Sequence, residues 1–288
     1  MKDRHVLENS YLSATIKAEG AELCSLRDAE DEELLWQAGP IWPRHAPVLF
    51  PIVGRLQGDV LRHRGNSYPM TQHGFARDRG FAWLQRTGTT CRLALHDDGE
   101  TRAHYPFAFR LEVAYILADD ALEIVCTIGN TGRETLPASL GVHPAFAWPL
   151  AEGVEKEAHR LEFEEPEPAP VGRLRAGLLT PEPQPSPIEG QTLSLRPSLF
   201  DADALILLQP ESRSLRYSAP GAPTIELSWE GYEQLGIWSK QDGDFLCIEP
   251  WRGFASPEEF DGEFSDKPGV MLIPPGERRA LLHRIRIC

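Results

Sequence analysis

Residues 109–128, FRLEVAYILADDALEIVCTI, decide the fold. Phe109, Leu111, Val113, Tyr115 and Leu117 point one way, and Arg110 and Glu112 point the other. That spacing is period two, the mark of a strand buried on one face. Ala118-Asp119-Asp120 then supplies a turn. Leu122, Ile124, Cys126 and Ile128 resume the alternation, so the two runs form an antiparallel hairpin. Gly129-Asn130-Thr131-Gly132 closes it and leads to a third expected strand, TLPASLGVH, residues 135–143.

Similar short runs recur on both sides. They include YLSATIKA (11–18), CRLALH (91–96), TIELSW (224–229), QLGIWS (234–239), DFLCIE (244–249), VMLIP (270–274) and ALLHRIRI (280–287). Turn signals such as SAPGAP, QDGD and PPGE separate them. The 24 Gly and 25 Pro of the 288 residues fit a turn-rich sheet protein and disfavour long helices. An all-β sandwich or barrel follows, as one domain over residues 1–288. Short helical turns are expected at Ser256–Phe260 and Pro197–Phe200. The Pro- and Glu-rich stretch 164–190 reads as a surface excursion, because strand patterns continue beyond it.

The net charge of −14 repels nucleic acid and anionic membranes, so neither is an expected partner. A local Arg cluster can still hold an anionic ligand. Five scattered cysteines with no CxxC read as reduced thiols in a cytoplasmic protein. MKDRHVLENS has no apolar leader, and no run reaches the ~18 residues of a membrane span.

Two segments share a design. SLGVHPAFAW places His143 at the end of an apolar strand, before Pro144. DFLCIEPW places Glu249 likewise, before Pro250. Proline holds its predecessor extended and cannot donate to a ladder, so each strand should finish, present a polar side chain, and turn. A histidine there can be a core residue satisfied by backbone. A carboxylate after an apolar run is harder to dismiss, since buried carboxylates are rare unless paired. MTQHGFARDRGFAW carries Gln72, His73 and Arg77. IWPRHAPVLFPIVGRLQGDV carries Arg44 and Arg55. Arginines in Gly/Pro-punctuated loops suit an oxygen-rich ligand, or pair with carboxylates. SLFDADALILL carries Asp201 and Asp203, which are also turn formers. His73, His143 and Glu249 match the residue types of a His2Glu metal site but lack its local spacing, so no metal is expected. There is no GxSxG, P-loop or GxGxxG, and no cofactor is expected.

In order, PRHAPVLFPIVGR, QHGFAR, GVHPAF, LFDADALIL, GIWSK, DFLCIEPWRG and KPGVMLIPPGE resemble the aldose 1-epimerase (galactose mutarotase-like) superfamily, in a divergent bacterial branch. The resemblance covers most of the chain. It implies a large antiparallel β-supersandwich with a cleft on one sheet, and a small-molecule sugar as partner of a monomer or homodimer. It implies that Glu249 takes the proton of the anomeric hydroxyl while His143 protonates the ring oxygen, with base and acid on opposite sides of the ring. The ring opens, C1–C2 rotates, and closure gives the other anomer. It further implies that His73 assists and that Asp203 and Arg55 hold hydroxyls; beside these, Trp238 and Trp251 could offer apolar faces to sugar C–H groups. Partial burial should raise the carboxyl, and the neighbouring carboxylate should keep the histidine protonated. The best-known galactose mutarotases differ around both residues, so galactose itself is not implied. A hexose 6-phosphate branch is resembled through Arg44, Gln72 and Arg77, which would bind a sugar phosphate. Two other readings stand beside these: a non-catalytic sugar-binding protein on the same fold, and a lyase or hydrolase using Asp203 as a second carboxylate.

Overall fold

The computed structural model describes residues 3–288; Met1 and Lys2 of the MKDRHVLENS stretch lie outside the described residues. The hairpin forms as its pattern requires. Strand Phe109–Ala118 alternates buried and half-buried at every step, and Ala121–Asn130 pairs with it antiparallel from Ala118↔Ala121 to Phe109↔Asn130. These two strands lie inside a nine-stranded sheet. Its order is Thr192–Ser194, Arg160–Phe163, Ser214–Ser218, Ile225–Glu230, Arg278–Ile287, Ala121–Asn130, Phe109–Ala118, Thr90–His96 and Ala82–Arg86. The half-buried face carries ion pairs such as Arg92–Glu112 at 2.6 Å and Arg110–Glu112 at 2.9 Å. Pairs this exposed contribute about 0–1 kcal/mol each.

The second principal sheet runs Leu205–Leu207, Gln234–Trp238, Phe245–Arg252, Leu140–Val142, Val48–Leu49, with Ala145–Ala147 also paired to Phe245–Arg252. Its alternation sends residues to two apolar layers. Leu205, Leu207, Ile237, Leu246 and Ile248 join Phe109, Leu111, Val113 and Ile124 in one core between the sheets. Leu49, Ile206 and Trp251 pack on the opposite face, as do Ala145, Phe245 and Cys247. Both faces of this sheet are therefore covered, and its strands read as near-continuous apolar runs. The outer face carries the cleft.

Three local expectations change. The run 135–143 is not one strand of the hairpin sheet. Leu136–Ala138 pairs with Met271–Ile273, and Leu140–Val142 pairs with Phe245–Arg252 and Val48–Leu49. Asn130 redirects the chain: its Nδ2–H groups donate to Glu134 O at 2.8 Å and Ile273 O at 2.7 Å. Ser256–Phe260 is a single turn, not a helix. Ser256 N–H donates to Arg55 O and Glu258 N–H to Leu179 O, so its backbone is committed to other segments. Pro197–Phe200 is a 3₁₀ turn as expected. The excursion 164–190 folds back on the cleft. Leu174–Arg175 and Leu178–Leu179 form a small hairpin, Val171 is buried, and Gly172 bridges to Ile206. Among the described residues no helix is long and apolar enough to cross a membrane.

Candidate active site

Gly141 pairs with Trp251, and Ala145 with Cys247, in one register across the break at Pro144. That register sets His143 directly opposite Glu249. Cross-strand partners share a face, so both side chains project into the cleft. His143 Nε2 lies 3.2 Å from Glu249 Oε2, with 6% of His143 and 1% of Glu249 exposed. The expected opposition of acid and base across a ring is thus corrected: the two stand side by side.

The strand also does not finish at Glu249. It continues through Pro250 to Arg252, with Pro250 paired to Leu235. Ile248 N–H points to Pro144 O, so by alternation the N–H that Pro250 lacks falls on the same edge, at the break in the neighbouring strand. The proline removes a rung where the ladder is already interrupted. His143 does follow the end of its strand, Leu140–Val142.

Trp251 lies flat on this sheet because two partner positions are glycine. A Cβ on Gly236 would sit 2.4 Å from the indole, and one on Gly141 2.8 Å from it. Gly236 pairs with Glu249 and Gly141 with Trp251 itself. So seated, the indole Nε1–H donates to Glu249 Oε2 at 3.2 Å. His143 is boxed by rings. Trp42 stacks on it at 5.0 Å and 26°, and Trp238 and His73 meet it edge-on, each at 5.8 Å.

A cavity of about 270 Å³ opens above the pair, lined among others by Trp42, Gln72, His73, Arg77, Leu174, Asp203 and Ile206. His73 has φ +66°, an uncommon left-handed conformation for a non-glycine residue, held by reciprocal bonds. Its N–H donates to Gly54 O at 2.7 Å, and Gly54 N–H donates to its Nδ1 at 3.2 Å. Accepting at Nδ1 places the proton of the neutral ring on Nε2, so the Gln72 amide nitrogen 3.3 Å from that atom meets it donor to donor and makes no hydrogen bond with it. Asp203 also has positive φ, +67°, and its Oδ1 accepts from Ala204 N–H at 2.7 Å.

The remaining arginines divide. Arg77 lines the cavity and donates to Gln72 O at 2.8 Å. Burial and then Arg44 lower it to about 10, so it stays charged at neutral pH. Arg44 sits outside the lining and donates to Asp78 Oδ1 at 2.8 Å; Arg77 Nε is 3.7 Å from Asp78 Oδ2. Two guanidiniums therefore share one carboxylate. Arg55 does not reach the cavity. It is bound bidentately by Asp59 at 2.6 and 2.5 Å and donates to Ala176 O. Its i,i+4 carboxylate satisfies it locally. Asp201 lines a separate groove with Ser198 and Lys240.

Burial governs the charges. It raises Glu249 well above the usual carboxylate range, partly opposed by the Trp251 hydrogen bond. It lowers His143 to about 3 and His73 well below the usual histidine value. The expectation that a neighbouring carboxylate keeps His143 protonated is reversed: desolvation of both partners favours a neutral pair holding one proton. Trp42 and Leu174 escaped the sequence reading as site residues. Trp42 carried a signal, since it stands two residues before Arg44, whereas Leu174 carried none.

The aldose 1-epimerase family pattern matches residues 3–267. Protein LacX (chromosomal) of Lactococcus lactis subsp. lactis is 32% identical over 281 residues, 93% of this chain and 94% of that protein. A galactose mutarotase related enzyme from Lactobacillus acidophilus superposes with a TM-score of 0.91 at 32% identity, over 99% of this chain and 97% of that one. A galactose mutarotase-like protein from Lactobacillus casei gives 0.90 at 30% identity, over 99% and 100%. The chain belongs to the aldose 1-epimerase family.

Proposed function

We propose that the chain interconverts the α and β anomers of a hexose by acid–base ring opening and reclosure. The observation that carries this is the buried contact of His143 Nε2 with Glu249 Oε2 on the cavity floor. The anomeric and ring oxygens are both bonded to C1, so an acid and a base serving them must be close neighbours. In the reacting form His143 is protonated and Glu249 ionised. Glu249 takes the O1 proton, the O1–H electrons form the C1 carbonyl, and the C1–O5 pair leaves onto O5, which receives the His143 proton. The pair is then neutral, the state that burial favours. Rotation about C1–C2 presents the other face, and Glu249 and His143 return and retake their protons. Each transfer typically contributes ~10²–10⁴-fold.

The neutral His73 Nε2–H is a fixed donor for a sugar oxygen. Gln72 and Asp203 line the cavity as hydroxyl partners, and Trp42 and Trp238 offer apolar faces to ring C–H groups. The cavity volume lies below the ~300–1,000 Å³ of drug-sized sites, which suits one sugar ring. Saturation-transfer NMR of α/β exchange over a panel of hexoses tests the proposal. No acceleration of any of them, with the fold intact, would refute it.

One observation favours a phosphorylated substrate. Among the described residues Arg44 and Arg77 share Asp78 as their one carboxylate within 4.0 Å, which leaves positive charge beside the cavity of an acidic chain. A hexose 6-phosphate would complete that charge with bidentate contacts.

A further inference from the structure

Cys247 has no part in the chemistry above, yet it lies beside it. It stands two residues before Glu249 on one strand, so both side chains leave the same face. Its cross-strand partners are the small Ala145 on one side and Trp238 on the other. Cys247 is free and fully buried. One nitrogen of His143, the sulfur of Cys247 and one oxygen of Glu249 all lie within 4.8 Å of one another.

We propose that His143, Cys247 and Glu249 form a site for one soft divalent cation of the zinc or cadmium class, and that its occupation blocks the acid–base pair. The donor set of one imidazole, one thiolate and one carboxylate is that of a borderline-soft tetrahedral ion. With Zn–N and Zn–O near ~2.0–2.2 Å and Zn–S near ~2.3 Å, tetrahedral ligands stand roughly 3.3–3.6 Å apart. The His143–Glu249 edge, 3.2 Å, already has that length. The sulfur, within 4.8 Å of the other two ligand atoms, would close on them by up to roughly 1.5 Å. His143 and Glu249 line the cavity and Cys247 lies behind them, so the ion enters from the cavity and its fourth position opens there.

The charges balance. One divalent ion enters as two protons leave, one from the thiol and one from the His143–Glu249 pair. The site is neutral before and after, so no uncompensated charge is buried. Ligation occupies the imidazole nitrogen and the carboxylate oxygen that would exchange protons with the sugar. The blocking half of this inference rests on the epimerase reading, and the binding half does not.

The test uses the full chain with Cys288, the exposed cysteine, replaced by Ser in every variant. Cobalt(II) is titrated in and followed by absorption. A one-to-one complex with a near-ultraviolet thiolate-to-cobalt charge-transfer band, displaced by zinc, is the expected result. Cys247→Ser, close in size to the parent, should lose that band while keeping α/β exchange. Zinc should stop exchange in the parent, a chelator should restore it, and Cys247→Ser should resist. Absence of the band, or its persistence in Cys247→Ser, overturns the site. A zinc-displaceable band without slowed exchange overturns the blocking role. A band in a chain that exchanges no sugar supports the site and refutes the epimerase reading instead.

Discussion

Replacing Trp251 with Phe tests the pairing at the cavity floor most directly. The substitution removes one group, the Nε1–H that donates to Glu249 Oε2 at 3.2 Å. It keeps an aromatic ring over Gly141 and Gly236. A hydrogen bond to a charged group is worth about 1.5–3 kcal/mol, and the length of this one places it near the lower end. The bond lowers the Glu249 pKa, in opposition to burial. Losing about 1.5 kcal/mol of carboxylate stabilisation raises that pKa by roughly one unit, at 1.36 kcal/mol per unit. The sign follows from the proton count. The working pair holds one proton, which it loses as pH rises through the raised Glu249 value. It gains a second only as pH falls toward the His143 value of about 3. The parent should therefore keep its activity between the His143 value and the raised Glu249 value, and lose it as pH rises through the latter. In Trp251→Phe the alkaline limb should move up by about one unit. The ionised-carboxylate form also becomes rarer by about tenfold, so the plateau should fall by up to that factor. The assay is saturation-transfer α/β exchange across a pH series, less the uncatalysed rate, with near-ultraviolet circular dichroism to check the fold. An alkaline limb that stays put, or moves to lower pH, would refute the coupling of Trp251 to Glu249.

Four further outcomes are expected. Glu249→Gln keeps the size and removes the base, so exchange should fall by at least ~10² with the melting temperature retained; near-normal exchange would remove Glu249 from the reaction. Arg77→Ala should raise KM for hexose 6-phosphates and leave free hexoses nearly unchanged; equal effects would argue against phosphate recognition. Gly236→Ala puts a Cβ 2.4 Å from the Trp251 indole. A loss of about 1–3 kcal/mol in denaturant unfolding, with reduced exchange, is expected. Lys267 is buried, donates to Phe254 O beside the cavity-lining Ala255, and is lowered by burial from 10.5 to about 7. Between those values the unfolded chain binds more protons, so this group costs stability fully below about pH 7 and ceases to cost it above about 10.5. The parent should gain stability relative to Lys267→Met between pH 7 and 9.5, and an unchanged difference would show that Lys267 is not desolvated.

The hairpin at 109–128 was readable because period two is a local property and the nine-stranded sheet buries one face only. The ordered motifs led to His143, Glu249, His73, Gln72, Arg77 and Asp203, all of which line one cavity. Arg55 stood in the same kind of motif and is bound by Asp59 four residues on, a partner the sequence also displays. Its type and context did not distinguish a ligand contact from a local ion pair. The stretch 164–190 looked like surface excursion because Pro and Glu dominate it, yet Leu174 closes the cavity from there. One apolar residue in a polar loop has no periodicity to mark it.

The sequence by itself determined the hairpin at 109–128, most of the other strand-forming runs and the polar residues set into apolar runs, because each is a matter of neighbours along the chain. It also placed Gly141 and Gly236 inside strands, where a glycine signals a close approach without saying of what. Tertiary structure alone decided that the two glycines flank one indole and that the indole donates to Glu249. It alone decided that His143 stands beside Glu249 and not across a ring from it. Register between distant strands sets which side chains meet, and desolvation depends on everything packed around them. Both are properties of the assembled sheet, so the charge state of the pair could not be read from either segment.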